Sequence, residues 1–527
     1  MNSTLAQAIL FAASLAASVL AGTRWLRVAQ REHYLPGSVV RFARRWWSIG
    51  PNRLLGIAAL VGLLGAAAKV APAGLVAAAA VALGPFGLSL RGRTSRLDWT
   101  RRLRVLAAVS VLIAVAVVGG AVTIVPGWAV AASATTLVAV GVPFVVDLAL
   151  AATAPLERRL GERFVGQATA KLSSVRPTVV AITGSYGKTS TKGYITHLLR
   201  GSMTVVPTPK SYNNQSGLCR AVNEHLLPGT DVFVAEMGTY GPGEIEAMCS
   251  WVTPDISVIT AIGPVHLERM KSEDRIAQAK SEILVPARVV VLNVDDPRLA
   301  RLAHEAESGG KRVWRCSALD RRAEVCVLYD DGALRIFAPA PEGGRRQIAH
   351  IPGLDAPPTN VACAVAVALE LGVPPEMIVR RLPTLPDADH RRQVTRAQSG
   401  ATVIDDTYNS NPAGAASALR LLGRLGAAAG NGHRRVLVTP GMVELGDRQE
   451  EENARFAAQA AEIATEILVV GQTNVRAITA GWRRRAEDDR PPLLRCATRQ
   501  EAVDWVSQHL HEGDVVLYEN DLPDHWP

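Results

Sequence analysis

Hydrophobic positions divide the chain into two textures. No charged residue occurs between positions 3 and 23, and the apolar run around 5 to 20 is long enough, at about 1.5 Å of rise per residue, to cross about 30 Å of hydrocarbon. Residues 54 to 90 are apolar apart from Lys69, with Pro72 nearby, which predicts a helical hairpin turning near Lys69. The run from 105 to 146 is 42 residues without a charge, about twice one crossing, and Pro126 and Gly127 near its middle supply the turn. Five membrane-crossing helices are therefore expected in residues 1–165. Residues 1 to 4 carry no positive charge, so the first run is expected to stay in the mature chain and not to act as a cleaved leader. The alternative is that these hairpins are core helices of a soluble domain.

After residue 165 the pattern changes to short β-branched runs separated by helix-length segments. Runs at 178–183, 232–235, 256–262 and 289–294 predict an α/β domain built on a mostly parallel sheet. A second set at 402–404, 435–439, 466–470 and 514–517 predicts a smaller, doubly wound, Rossmann-like domain. The proline-rich stretch at 383–389 falls between the two sets. The expected organisation is a helical membrane region at 1–165, a central domain at 166–386 and a C-terminal domain at 387–527. There is no internal repeat.

Charge sharpens this division. The 527 residues hold 57 Lys+Arg against 48 Asp+Glu, yet residues 1–165 alone hold 17 against 5, leaving the rest slightly acidic. The basic excess sits between apolar runs and not on a soluble domain, which argues against a nucleic-acid reading, and no nucleic-acid partner is expected. Arg24, Arg27, Arg31, Arg41, Arg44, Arg45 and Arg53 form one basic segment, and Arg91, Arg93, Arg96, Arg101, Arg102 and Arg104 a second, whereas the turns near 69 and 126 hold one lysine. The positive-inside rule makes the arginine segments cytoplasmic and the N-terminus external. The expected placement is a multi-pass plasma-membrane protein with its body after Arg158 in the cytoplasm. Six cysteines, at 219, 249, 316, 326, 363 and 496, form no CxxC pair and are expected to be reduced thiols.

The strongest chemical signal is VVAITGSYGKTSTK. A β-branched run ends in Gly184-Ser185-Tyr186-Gly187-Lys188-Thr189-Ser190, followed by a segment of helical length. This pattern suits a phosphate cradle, a P-loop: glycines let backbone N–H groups approach an anion, the helix N-terminus faces it, Lys188 reaches terminal phosphates and the Thr189 hydroxyl can ligate magnesium. The spacing is GxxGKT, shorter than the usual form, because Ile182 stands where the first glycine would be. Glu236 closes a strand in VFVAEMG, at the sheet edge where ligands bind, and is a candidate metal ligand. His266 follows the next strand, although an isolated loop histidine is more often structural. Lys280 lies on a segment of helical character, where a solvated lysine is the ordinary reading. Asn293 and Asp296 close another strand in LNVDDP, where they suit a nucleobase or ribose but also form a common turn.

In order along the chain, ITGSYGKTSTK, SYNNQSG, AEMGTYGPGEIE, GPVHLE with Lys280 fourteen residues after His266, LNVDDP, DDTYNSNP, TPGMVELGD and ENDLPDHWP resemble the Mur ligase family over about residues 176 to 527. Within it the likeness is to members that add D-alanyl-D-alanine to a peptide-bearing cell-wall precursor. The resemblance implies that the 184–190 loop and Lys188 hold ATP phosphates. It implies that Thr189 and Glu236 serve a first magnesium ion, and that His266 and a carbamylated Lys280 serve a second. A carbamate would turn a cation into an anion able to hold metal, which an unmodified lysine cannot do. By the same resemblance Asn293 and Asp296 contact adenine and ribose, Arg391 of the His390-Arg391 pair neutralises the γ-phosphate, and Asp406 contacts the nucleotide. Two departures stand out. Ala356 and Pro357 occupy positions before Asn360 where the family carries His-Asn, and the apolar segments take the place of the family's uridine-nucleotide-binding domain.

The expected activity is an ATP-dependent amide ligation through an acyl phosphate, with a peptide carboxylate as acceptor and D-alanyl-D-alanine or a similar amine as nucleophile. Three alternatives remain at this stage: the same chemistry on a lipid-linked or polyglutamate-type acceptor, a P-loop ATPase coupled to membrane transport, and a catalytically inactive scaffold. Transport would call for ionisable residues inside the helices, where only Lys69 and Asp147 come near.

Overall fold

The computed structural model describes residues 3–90, 92, 96–209, 212–265, 267–330, 332–340, 343–354, 356–386, 393–408, 410–430, 432–522 and 526. The chain forms two compact units, one of residues 1–160 with the last six residues, the other of residues 161–521.

The first unit is helical. Its elements are α1 (Ser3–Arg31), α2 (Ser38–Trp47), α3 (Gly50–Ala67), α4 (Ala71–Leu83), α5 (Arg101–Ile124) and the first part of α6 (Trp128–Val175). The expected hairpins are present. α3 and α4 turn through Lys69, which adopts a left-handed φ of 65°, and α5 and α6 turn through Pro126-Gly127. Among the described residues four helices, α1, α3, α5 and α6, are long and apolar enough to cross a membrane. The fifth expected crossing, α4, has only 13 residues and rises about 20 Å. It packs against α1 and α3, where Leu10, Ala66, Ala71 and Ala132 form a small core. Asp147 has a local structural task. Its carboxylate accepts the backbone N–H groups of Gly37 (2.9 Å), Val39 (3.3 Å) and Val40 (2.8 Å), capping α2. Trp526 belongs to this unit and meets Phe42 edge-on at 5.2 Å between ring centroids.

The second unit holds two sheets. Nine strands, β1 (Thr178–Thr183), β2 (Val205–Pro207), β3 (Val232–Glu236), β4 (Ile256–Ile259), β5 (Val289–Asn293), β6 (Arg312–Ser317), β7 (Val325–Asp330), β8 (Ala333–Pro339) and β9 (Arg345–Pro352), run in the order β2-β3-β1-β4-β5-β6-β7-β8-β9. The expected parallel arrangement holds from β2 to β7, but β7, β8 and β9 form an antiparallel meander, so the sheet is mixed. β1, β3, β4 and β5 are almost continuous apolar runs because apolar clusters cover both faces of the sheet. On one face the end of α6 contributes Ala168 and Leu172. On the other lies the helix Pro358–Glu370, whose residues 360–368 are all buried.

The second sheet contains β10 (Gln393–Arg396), β11 (Thr402–Asp406), β12 (Arg435–Thr439), β13 (Glu466–Val470), β14 (Leu493–Cys496) and β15 (Val515–Glu519), in the order β10-β11-β15-β12-β13-β14. Only β10 is antiparallel. All six cysteines are buried free thiols.

Candidate active site

β1, β3, β4 and β5 bring their carboxyl ends to one edge of the larger sheet, and the chemistry-bearing residues gather there. β1 runs into the 184–187 turn and α7 (Lys188–Leu199) starts immediately after it. Gly187 takes a φ of 78° and the Asn360 carboxamide fills the position its Cβ would need, so a side chain here is excluded twice. Ser185 ties the turn to the loop after β4: its N–H donates to the Ala261 carbonyl at 2.7 Å, and its hydroxyl donates to the Gly263 carbonyl at 3.1 Å. Lys188 opens α7 and donates to the Gly184 carbonyl at 2.7 Å, closing the loop on itself. The result is a rigid turn at a helix N-terminus, suited to an anion.

Glu236, at the end of β3, is 1% exposed and stands at the centre of a polar cluster. Its Oε1 accepts from the Thr189 hydroxyl at 3.3 Å and from Asn213 Nδ2 at 3.2 Å, and its Oε2 lies 3.0 Å from Lys192 Nζ. Burial works against this charge, but Lys192 and Lys188, with the hydrogen bonds from Lys192 and Asn213, outweigh it and hold the carboxyl below its ordinary range. A carboxylate beside a hydroxyl is a hard oxygen pair suited to magnesium. Among the described residues no group of three His, Cys, Asp or Glu side chains is placed to hold a metal ion. Magnesium commonly takes one or two protein ligands and completes its shell with phosphate oxygens and water.

Lys280 is not a solvated lysine. It lies near the end of the helix Glu273–Ser281 and is 3% exposed. Burial, with Lys188 adding repulsion, pushes its ammonium well below the usual lysine range, a shift toward the neutral amine. Tyr186 is pushed upward, by burial first and then by Glu273 and Glu452.

Asn293 and Asp296 are engaged locally. Asn293 Nδ2 donates to the Thr260 carbonyl at 3.0 Å. Asp296 caps the helix Pro297–Ser308 by accepting the Arg298 N–H at 2.8 Å, and pairs with the Arg298 guanidinium at 3.1 Å. Asp406 ends β11 in the other sheet, buried, its carbonyl accepting the Asn520 N–H at 3.1 Å. His266, His390 and Arg391 lie outside the described residues. The C-terminal domain reaches the central one through residues 446–448: Gly446 packs on Leu267, and Arg448 pairs with Glu273 at 2.8 Å.

Three polar groups, two beside Glu236 and one in the second sheet, were not singled out from the sequence. Lys192 was legible in principle, since it follows Lys188 by four residues and shares its helix face. Asn213 sits in the SYNNQSG segment with no local cue to its partner. Glu519, fully buried at the end of β15, accepts hydrogen bonds from the Ser410 and Thr439 hydroxyls. Burial, with Asp406 adding, pushes its carboxyl up to about 7 against those two bonds.

Comparison with known proteins identifies the family of both sheet domains. Residues 182–354 match the Mur ligase middle domain and residues 390–518 the Mur ligase, glutamate ligase domain. A relative from Mycobacterium tuberculosis, named UDP-N-acetylmuramoyl-tripeptide--D-alanyl-D-alanine ligase, is 32% identical over 348 residues, covering 64% of this chain and 67% of the relative. One of the same name from Mycobacterium bovis is 34% identical over 311 residues, 58% of this chain and 60% of the relative, so the chain spans about two thirds or less of these two proteins. The crystal structure of a MurF ligase from Thermotoga maritima in complex with ADP superposes with a TM-score of 0.57 at 23% identity, covering 68% of this chain and 80% of that one. The chain belongs to the Mur ligase family and is an ATP-dependent ligase.

Proposed function

We propose that the chain joins D-alanyl-D-alanine, or a similar amine, to the peptide carboxylate of a cell-wall precursor, with ATP converted to ADP and phosphate. The observation that carries this reading is the convergence of the 184–190 turn, Thr189, Glu236 and the buried Lys280 on one sheet edge, in a chain whose relatives bear that ligase name. The acceptor carboxylate oxygen attacks the γ-phosphorus and ADP leaves. The amine nitrogen then attacks the acyl carbon, loses a proton, and phosphate departs. Lys188 and the α7 N-terminus take the terminal phosphates. Thr189 and Glu236 would hold one magnesium ion and His266 with a carbamylated Lys280 a second; bound there, magnesium would supply positive charge beside the phosphoryl group that is transferred. Lys280 suits carbamylation because only a neutral amine adds to carbon dioxide, forming an N–C bond and releasing a proton, and burial favours that neutral form. Asn293, Asp296, Arg391 and Asp406 are proposed nucleotide contacts. For the first two this requires their present hydrogen bonds to be shared with, or yielded to, the ligand.

The helical unit is proposed to cross the plasma membrane five times, with α4 and the apolar residues after it as the short crossing, the arginine segments cytoplasmic, and the catalytic domains in the cytoplasm. A second reading has a lipid-linked acceptor, favoured by four apolar helices preceding the family match that starts at residue 182. Such tethering raises effective concentration up to the millimolar range without a new contact.

The test is to give the full-length protein ATP, magnesium, D-alanyl-D-alanine and either a UDP-linked or a lipid-linked peptide precursor, following phosphate release and product mass. One product heavier by the dipeptide less water, with equimolar phosphate, is expected. Phosphate release with no new amide on either acceptor would sink the ligase assignment of substrates.

A further inference from the structure

The polar cluster around Glu236 contains one more charge than a metal site needs. Lys192 lies one helical turn beyond Lys188 on α7, so both ammonium groups project from the same face. Their tasks differ. Lys188 is turned to the Gly184 carbonyl at the mouth of the loop, whereas Lys192 is 7% exposed at its side chain and points inward to Glu236 Oε2 at 3.0 Å. The two oxygens of Glu236 are thereby divided. Oε2 faces a fixed cation, while Oε1 is shared by the Thr189 hydroxyl and Asn213 Nδ2, the side on which a hydroxyl-ligated ion would stand. A buried ion pair of this kind is seldom needed for stability, because apolar residues of similar volume generally serve as well. Its placement against a candidate metal ligand calls for another explanation.

We propose that Lys192 is a positioning residue: a built-in counter-cation that fixes Glu236 with Oε1 turned to Thr189 and keeps the metal affinity of the site low until nucleotide phosphates add their own negative charge. This rests on the reading of Thr189 and Glu236 as the first magnesium site. Two cations sharing one carboxylate repel each other, and at an effective permittivity of about 20 that repulsion is worth a tenfold change in affinity or more. Lys192 thus makes metal binding depend on ATP: without nucleotide the carboxylate is already satisfied, and with nucleotide the phosphate oxygens tip the balance.

The test measures Mn²⁺ binding to the full-length protein by electron paramagnetic resonance, with and without ADP, in the parent and in Lys192→Gln, Lys192→Arg and Glu236→Gln. Lys192→Gln keeps a donor to Oε2 but removes the charge. It should bind Mn²⁺ at least tenfold more tightly in the absence of nucleotide, while Lys192→Arg should behave like the parent. A merely structural lysine predicts the opposite, since a disordered site binds metal less well. Unchanged or weaker nucleotide-free binding in Lys192→Gln overturns the proposal. Should Lys192→Gln not fold, the Lys192→Gln/Glu236→Gln pair, which buries no charge, is measured beside Glu236→Gln alone. The proposal expects tighter Mn²⁺ binding with ADP in the pair, and equal or weaker binding overturns it. If Glu236→Gln leaves Mn²⁺ binding with ADP unaltered, the metal-site reading itself fails, a result distinct from the others.

Discussion

Replacing Glu519 by glutamine should abolish a pH dependence that the parent carries in its C-terminal sheet. The carboxyl is fully buried and titrates near 7 in the folded chain against an ordinary value of 4.5. Between those values the native state holds a proton that the unfolded state has lost, so stability is greatest at low pH and falls as pH rises toward the folded value. Linkage puts the loss from about pH 5.5 to about pH 8.5 at about 2 kcal/mol, close to a thirtyfold change in an opening constant. Glutamine cannot ionise and keeps the shape, so Glu519→Gln should lack this slope. β15 lies between β11 and β12, so its amides exchange only when the middle of the sheet opens. Hydrogen exchange of Val515–Glu519 in the intact protein, read by mass spectrometry, therefore reports the relevant equilibrium. The ratio of parent to variant exchange rates should grow about thirtyfold from the lower to the higher pH. A ratio that stays constant across that range would refute the reasoning, because it would mean that Glu519 is ionised throughout.

Lys188→Ala should retain less than about a tenth of ligation while the protein still folds, because it removes the charge nearest the terminal phosphates; phosphate release and product mass check this together. Lys280→Ala should be nearly inactive and partly restored by a small carboxylic acid such as acetate, which can supply the missing anion, whereas full activity without additive would return Lys280 to a structural role. Cysteines introduced near Lys69 and Pro126 should react with an impermeant maleimide from outside intact cells and those in the arginine segments should not. The native thiols are all buried and leave the background silent.

Much of the catalytic body was legible because parallel strands covered on both faces carry unbroken apolar runs. β1, β12 and β13 begin and end where those runs do. The β7–β9 meander was not, since its strands are partly exposed and β9, with RRQIAHIP, carries charges that mask its alternation. The change of texture near residue 165 is not a helix end: a helix tolerates charges such as those at 157–163 on a solvated face, and α6 runs on to Val175. LNVDDP shows the limit of motif reading. A carboxylate before Pro-Arg is also a helix cap, and Asp296 serves as one. The Lys192–Glu236 pair joins residues on separate elements, and no local pattern could announce it.

The way α6 ends bears on how such a chain can be divided. Ala168 and Leu172 are buried in the same cluster as Leu218, Val222 and Phe233, and Lys171 Nζ caps the Asn223 carbonyl at 2.8 Å. The enzyme's seam is therefore inside a helix, near Gly161, and not at the start of the first strand. Scission by a protease, or a gene fusion that swaps the helical region, would leave an intact body only if it fell ahead of Val165, which packs against the same cluster. A cut just before Thr178 would strip one wall from the core and bare an apolar face prone to self-association. The helical region can be exchanged only together with a length of helix that the enzyme itself owns.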